Sequence, residues 1–386
     1  MAIKNSSPII EWLENHWATP AFSGWLLGGI AICFFGAAAN TMAGWLYILS
    51  GTIAALLGLG AVLPIQSQRH LKVHRLPITP VSAGDDLTVE VIIENTEKKP
   101  KTLIQVWDLI PHVLGQPVKT AIEVIPPQGQ KFWTYYLPTQ RRGVYRWQEV
   151  QLRTGSPLGL FWCRRRQEVC AKAIVYPQIL PLTQCPLIDT IGQEDSDKMQ
   201  SDRHYQAAHE GVTKTLRPYR HGDPMRLIHW RTSARFDEFK VRELEIITGG
   251  EDILICLDSA SSWEPEIFEQ GVIAAASLYF YALRSQLNVK FWTARTGVIH
   301  GNRRVLEALA AIEAEEESLN LALPNLPMIW LTQNLATLET LSQGSRWLVF
   351  GTEEGKNPQN LINNPNHGLV ITPEQPLALQ LQKPLR

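Results

Sequence analysis

From Asn15 to Gln68 the chain carries no Asp, Glu, Lys or Arg. Two apolar runs lie inside that stretch, Ala21 to Ala39 and Ala43 to Leu63, separated only by Asn40, Thr41 and Met42. As a helix, a run of about 20 residues spans roughly 30 Å, the hydrocarbon thickness of a bilayer. So short a connection forces the two helices antiparallel. The expectation is a transmembrane hairpin within residues 1–70, with helices over about 21–39 and 43–63. Trp17, Trp25 and Trp45 sit near the ends, where indole rings favour the interface, and Gly24, Gly28, Gly36, Gly51 and Gly58 let two backbones approach. A cleaved signal is the competing reading, since Ala37-Ala38-Ala39 resembles a peptidase site. Against it, Glu11 and Glu14 outnumber Lys4, and a second apolar run follows at once.

Flanking charge sets the orientation. The hairpin tip has no Lys or Arg, whereas Arg69, Lys72 and Arg75 follow the second run. Positive charge stays on the cytoplasmic side, so both termini are expected to be cytoplasmic in a two-pass protein of the plasma (inner) membrane. Cys33, Cys163, Cys170, Cys185 and Cys256 form no C-x-x-C pair and read as reduced thiols, in keeping with that compartment. Lys plus Arg is 36 and Asp plus Glu is 37, so the chain lacks the basic footprint of a nucleic-acid binder, and no nucleic-acid partner is expected.

Residues 71–176 read as an antiparallel β-sandwich module. Leu87–Ile93, Leu103–Trp107, Lys131–Tyr136 and Val144–Trp147 are short β-rich segments. Turn clusters such as Pro126-Pro127-Gln128-Gly129 lie between them. Residues 177–211, Pro-rich and then polar, read as a linker. From Asp252 the pattern changes to alternating strand and helix. Asp252–Leu257 is a near-continuous apolar run, as a buried parallel strand requires. Helical spacing follows from Pro265, with further strands at Val289–Trp292, Met328–Leu331 and Trp347–Phe350. Helices are expected at Arg304–Glu317 and Asn334–Leu341. The fold class is therefore α/β with an all-β module, the C-terminal part being a doubly wound sheet covered on both faces.

Two constellations carry possible chemistry. Asp258-Ser259-Ala260-Ser261-Ser262 follows the first strand of that sheet, where such sheets bind ligands. A carboxylate and hydroxyls can hold a hard cation, so Asp258 and Ser262 are candidate Mg²⁺ ligands. The adhesion-type metal site of von Willebrand factor A domains has Asp-x-Ser-x-Ser here. This chain has Ala260 at the middle position, and Leu331-Thr332-Gln333-Asn334 offers no carboxylate from the later strand end. Without a metal, Asp258 caps the following helix.

The second constellation is denser: Arg217, Tyr219, Gly222, Asp223, Arg226, Ile228, Trp230, Ser233, Ala234 and Arg235, then Val241 and Glu243. This spacing resembles the signature of the bacterial family known as domain of unknown function 58. Arg142-Gly143-x-Tyr145 and Pro157-Leu158-Gly159-Leu160-Phe161 resemble it too, with Ser156 where many members have Asp. The resemblance implies a membrane-anchored protein with a von Willebrand factor A-like domain in residues 212–386. It also implies association with MoxR-type AAA+ ATPases, and no settled activity.

Physically, Asp223, Arg226, Arg231, Arg235 and Glu243 can form charge-assisted pairs or a docking face. Arg226 is expected to clamp, Arg231 to dock, and Trp230 to anchor in a core. Elsewhere, Gly351–Asn357 is one residue short of a phosphate loop, and His204 and His209 lack zinc spacing. Arg164-Arg165-Arg166 reads as a solvated face. The leading expectation is a non-enzymatic, membrane-tethered scaffold or adaptor that binds a protein partner. The alternative is a cation-dependent enzyme or ligand-binding protein acting at the Asp258 strand end.

Overall fold

A computed structural model of the chain describes residues 17–189, 212–218, 229–236, 238–245, 252–317, 326–342, 344–351 and 367–385. The chain divides into two compact units, residues 1–176 and 177–386.

In the first unit, strand β1 (Thr19–Pro20) leads into helix α1 (Phe22–Thr41), and a short turn then begins helix α2 (Gly44–Ser67). Both helices are long and apolar enough to cross a membrane. The turn uses Met42 in the left-handed region, at φ 54°. The helices are held together by Ser50 Oγ, which donates to the Ala31 carbonyl at 2.9 Å, and by an edge-to-face contact of Phe35 with Tyr47.

The remainder of this unit is two sheets. Strands β2 (Leu71–Arg75), β4 (Asp86–Asn95) and β7 (Gln130–Pro138) form an antiparallel sheet in the order β2-β4-β7. The other sheet runs β1-β9-β8-β5-β6, with β5 Lys101–Asp108, β6 Val118–Ile125, β8 Gly143–Thr154 and β9 Phe161–Tyr176, and the short β3 (Val81–Ser82) also pairs with β9. Period-2 alternation on β4 places Leu87, Val89, Val91 and Ile93 in the core. There they meet Ile104, Val106, Val150 and Leu152 of the other sheet.

One charge pair interrupts this core. The Arg75 and Asp108 side chains are 1% and 0% exposed and 2.7 Å apart. Asp108 also accepts from Tyr135 Oη at 2.7 Å and Trp147 Nε1 at 3.0 Å.

The helices join the sheets through the β8–β9 connection. Ala21 N donates to the Leu160 carbonyl at 2.8 Å, and Ser23 Oγ to the Gly159 carbonyl at 3.1 Å. Leu160 lies between Gly24 of α1 and Gly60 of α2. A Cβ at Gly24 would collide with the Leu160 carbonyl oxygen, and one at Gly60 would meet the Leu160 side chain at 3.2 Å. Past the end of α2, Gln68 Nε2 donates to the carbonyls of Leu152 at 3.1 Å and Cys163 at 2.6 Å.

The second unit is a six-stranded sheet in the order β14-β13-β12-β15-β16-β17. These strands are β12 Asp252–Leu257, β13 Asn288–Thr293, β14 Gly297–Ile299, β15 Met328–Thr332, β16 Arg346–Phe350 and β17 Gly368–Ile371. All pairings are parallel except β13 with β14. Within this sheet the sequence order of strands is thus 3-2-1-4-5-6. Ile253, Ile255 and Leu257 of β12 face a core shared with helix α5 (Pro265–Arg284) and helix α6 (Asn302–Ala311). Leu254 and Cys256 face the other side, with Trp292, Trp330, Trp347 and Leu338 of the 3-10 helix Leu335–Thr340. Both α5 and α6 lie on one face. Among the described residues the other face has only the 3-10 helix, where a full second helical layer was expected.

The supposed linker differs too. Leu182, Cys185, Leu187 and Ile188, around the short helix α3 (Pro186–Asp189), are buried in the α5–α6 core. Their apolar burial outweighs the proline content that suggested a free connection. Burial raises the Cys185 thiol to about 12. A final short helix, Leu377–Gln380, closes the described chain.

Candidate functional site

The sequence order of the parallel strands reverses between β12 and β15, and ligands of such sheets bind at the strand ends beside that reversal. Asp258 stands at that place, 5% exposed, directly after β12. Its Oδ2 accepts from Ser261 Oγ at 2.6 Å and from Thr332 Oγ1 at 2.8 Å. Thr332 comes from the end of β15, and its hydroxyl also accepts from Asn334 N at 2.9 Å. Trp263 Nε1 donates to the Asp258 carbonyl at 2.6 Å, and Gln333 accepts from Glu264 N at 2.9 Å. Ser259 Oγ accepts from Ala294 N at 3.1 Å, tying the end of β13 to the same loop.

Ser262 does not meet Asp258. Its hydroxyl donates to Glu315 Oε1 at 2.7 Å. Glu315 lies in the turn after α6 with φ 60°, an uncommon backbone state for a residue other than glycine. Glu316 N donates to the Ser259 carbonyl at 3.0 Å, which holds this acidic turn against the site. The sequence pattern offers Thr332 at the matching strand end but points to neither Ser261 nor Glu315 as a partner. The run Glu313-Ala314-Glu315-Glu316-Glu317 reads as the end of a helix, but α6 stops at Ala311 and the run turns back onto the site.

As a magnesium site the donor set fits poorly. Asp258 Oδ2 is occupied by two hydroxyl donors, and Ser262 is turned to a different carboxylate. Among the described residues no three His, Cys, Asp or Glu side chains converge as metal ligands. A buried orphan oxygen does occur nearby in the chain, Glu316 Oε2. Its partner oxygen accepts from Glu313 N at 3.3 Å, within the acidic turn itself.

The signature segment forms its own two-stranded sheet. Strand β10 (Val212–Pro218) pairs antiparallel with β11 (Lys240–Glu245), placing Arg217 opposite Val241 and Thr215 opposite Glu243. Between them lies helix α4 (Trp230–Phe236). Tyr219, Gly222, Asp223 and Arg226 lie outside the described residues, so the clamp expected of Arg226 does too. Ser233 is buried and locks α4 to β11: its hydroxyl donates to the His229 carbonyl at 3.1 Å and accepts from Lys240 N at 2.9 Å. Arg231 and Arg235 are exposed.

The anchor expected of Trp230 is corrected. Trp230 is 61% exposed and Phe239 is 56% exposed, and their rings meet edge to face with centroids 6.1 Å apart. Trp230 begins a helix of only seven residues, with Ser233 inside and the tryptophan outside.

No family model matches the chain. A curated relative, the "Uncharacterized protein YeaD" of Bacillus subtilis (strain 168), is 26% identical over 233 residues, 59% of this chain and 56% of the relative. The chain thus spans about half the length of the curated relative it matches. Among solved structures, the CARDB domain of a Pyrococcus furiosus protein is 16% identical and aligns with 26% of this chain and 94% of its own, at a TM-score of 0.19. Red sea bream transglutaminase is 14% identical, over 29% of this chain and 15% of its own, at 0.20. Pseudomonas fluorescens alkylpurine DNA glycosylase AlkC is 12% identical, over 40% and 44%, at 0.21. Scores this low define neither fold nor function.

Proposed function

We propose that the chain is a membrane-tethered scaffold of the domain of unknown function 58 type. Helices α1 and α2 cross the bilayer as a hairpin, and both termini face the cytoplasm. The two sheets of the first unit make a β-sandwich, and the second unit is a von Willebrand factor A-like domain. The strand order 3-2-1-4-5-6 with an antiparallel edge strand supports that assignment.

The observation that carries the scaffold reading is the exposed Trp230–Phe239 pair beside Arg231. Tryptophan and arginine dominate the energetics of protein interfaces. A large aromatic pair left in water on a segment fixed by Ser233 supports a docking face. Its partner is a cytoplasmic protein, and the family resemblance nominates a MoxR-type AAA+ ATPase. The test is capture of such an ATPase by the intact chain from its own membranes. Trp230→Ala or Arg231→Ala should abolish capture and leave the melting temperature nearly unchanged, because exposed side chains contribute within about 0.5 kcal/mol. Equal capture by all three proteins overturns the reading.

The alternative, a cation-dependent enzyme or ligand-binding protein at Asp258, draws on the meeting of Asp258, Ser261 and Thr332 at the strand reversal. Tight Mg²⁺ binding that Asp258→Ala abolishes would favour it.

A further inference from the structure

The β8–β9 connection lies beside the ends of both apolar helices, and the outward rows of the adjoining sheet change character with distance from it. At the connection the side chains are apolar. Leu160 is wedged between Gly24 and Gly60, while Leu158 is 42% exposed and Leu103 is 62% exposed. Leu103, Leu158 and Trp162 line a cavity of about 330 Å³, with Glu123 as its acidic member. Trp162 pairs with Thr19 of β1, three residues before α1 begins. One outward row further along, Gln105, Arg153 and Arg164 lie side by side in register. The Arg153 guanidinium covers the Trp162 ring at 4.5 Å, and Arg164 approaches the Trp107 ring at 5.9 Å. In the row after that, Arg166 is paired with Glu149 at 3.1 Å, and Lys119 lies 5.9 Å from the Trp107 ring.

Successive outward rows on a strand are roughly 7 Å apart. The step from a row of Leu103 and Trp162 to rows carrying Arg153, Arg164, Arg166 and Lys119 therefore matches in depth the step from the hydrocarbon edge to the phosphates of a bilayer leaflet. Gly24 is in the first turn of α1, and Gly60 lies about 10 Å before the end of α2 at 1.5 Å per residue. If those helices span the membrane, Leu160 sits at the hydrocarbon edge.

On that membrane reading, we infer that the β8–β9 connection and the Arg153–Arg164 row form a collar lying against the leaflet surface. Leu158 enters the interface, and Arg153 and Arg164 bind the headgroups of anionic phospholipid. The sequence run Arg164-Arg165-Arg166 is then a lipid contact in its first member, where a solvated face was expected.

The full chain, carrying Cys33→Ala and Cys170→Ser, is reconstituted in nanodiscs of phosphatidylcholine with or without phosphatidylglycerol. An environment-sensitive fluorophore is attached at Leu158→Cys or, as a reporter of the hairpin, at Leu56→Cys. Both labels should emit to the blue and lose quenching by aqueous iodide. Lipid retained after detergent washing should favour phosphatidylglycerol. Arg153→Gln with Arg164→Gln should lower that preference roughly 30-fold, two charges at about 1 kcal/mol each. Full quenching at position 158 with protection at 56 overturns the collar and leaves the hairpin standing. Quenching at both positions overturns the membrane reading itself. Undiminished lipid preference in the double variant overturns the headgroup contact.

Discussion

Asp108 is a fully buried carboxylate whose oxygens receive Arg75, Tyr135 and Trp147, and the Arg75 guanidinium also covers the Trp147 ring at 5.2 Å. Burial, and then the neighbouring carboxylate, push the Tyr135 phenol far above its ordinary range, so it remains a donor. Removing one member of a buried pair leaves the other charge uncompensated, at a cost of about 3–5 kcal/mol. Asp108→Ala should therefore lower the stability of the first unit by that amount in denaturant titration, whereas Glu307→Ala, which breaks an exposed pair with Arg303 in the second unit, should change that unit's stability by under about 1 kcal/mol. Asp252 behaves differently. Its hydrogen bond from Lys290 at 3.0 Å, with a second from Asn288, holds the carboxyl below its ordinary 3.8. A depressed folded value stabilises above the unfolded pKa and loses that contribution as pH falls from about 3.8 through the folded value. The side chain is 37% exposed, so the contribution is under about 1 kcal/mol. Asp252→Asn should flatten the acid limb of the second unit's stability curve by no more than that. A larger change would place Asp252 in a wider network. At Asp258, titration calorimetry with Mg²⁺ should give no tight binding, because the two hydroxyl donors already occupy Oδ2.

Elements differed in how plainly the sequence announced them. The uninterrupted apolar run of β12 and the alternation of β4 each leave one structural option, and both are strands where expected. The sixteen-residue β9 was not legible, because Arg164, Arg165, Arg166 and Glu168 break its pattern. Their cost is offset by cross-strand partners on β8 and rings that only the folded sheet supplies. The site divides the same way. Asp258 was readable from the strand it ends, but Thr332 reaches it from 74 positions away and Glu315 reaches the neighbouring Ser262 from 53, and that convergence is a property of topology. The size of its ring suggests a core place for Trp230 whether the segment is extended or helical, but helix α4 turns it outward and buries Ser233 instead. The two apolar helices were the easiest elements, and their docking rests on two glycines. Gly60→Leu should drive its side chain into Leu160 and cost about 1–3 kcal/mol by overpacking, while Gly58→Leu, which faces open space, should be tolerated. Proteolysis of the β8–β9 connection in the reconstituted chain reports the difference. Equal resistance in the two variants would mean the wedge contributes little.

For the whole molecule the proposed hairpin makes a direct topological claim. A cysteine at Thr41, the last residue of α1, should react in intact cells with an impermeant thiol reagent, and a cysteine near Leu385 should react only after permeabilisation. Reaction at Leu385 alone would invert the orientation and remove any cytoplasmic partner. The two units have separate cores, so unfolding is expected in two transitions, with Asp108→Ala shifting one and leaving the other in place. The strand pairing of Thr19 with Trp162 also bears on how the protein is made. These residues are 143 positions apart, with both apolar helices between them. At ordinary translation speeds the ribosome needs on the order of ten seconds to cover that distance. The helices thus emerge long before Leu160 exists to fill the cleft between Gly24 and Gly60. A nascent chain arrested before that leucine leaves the cleft unfilled and β1 without its partner strand.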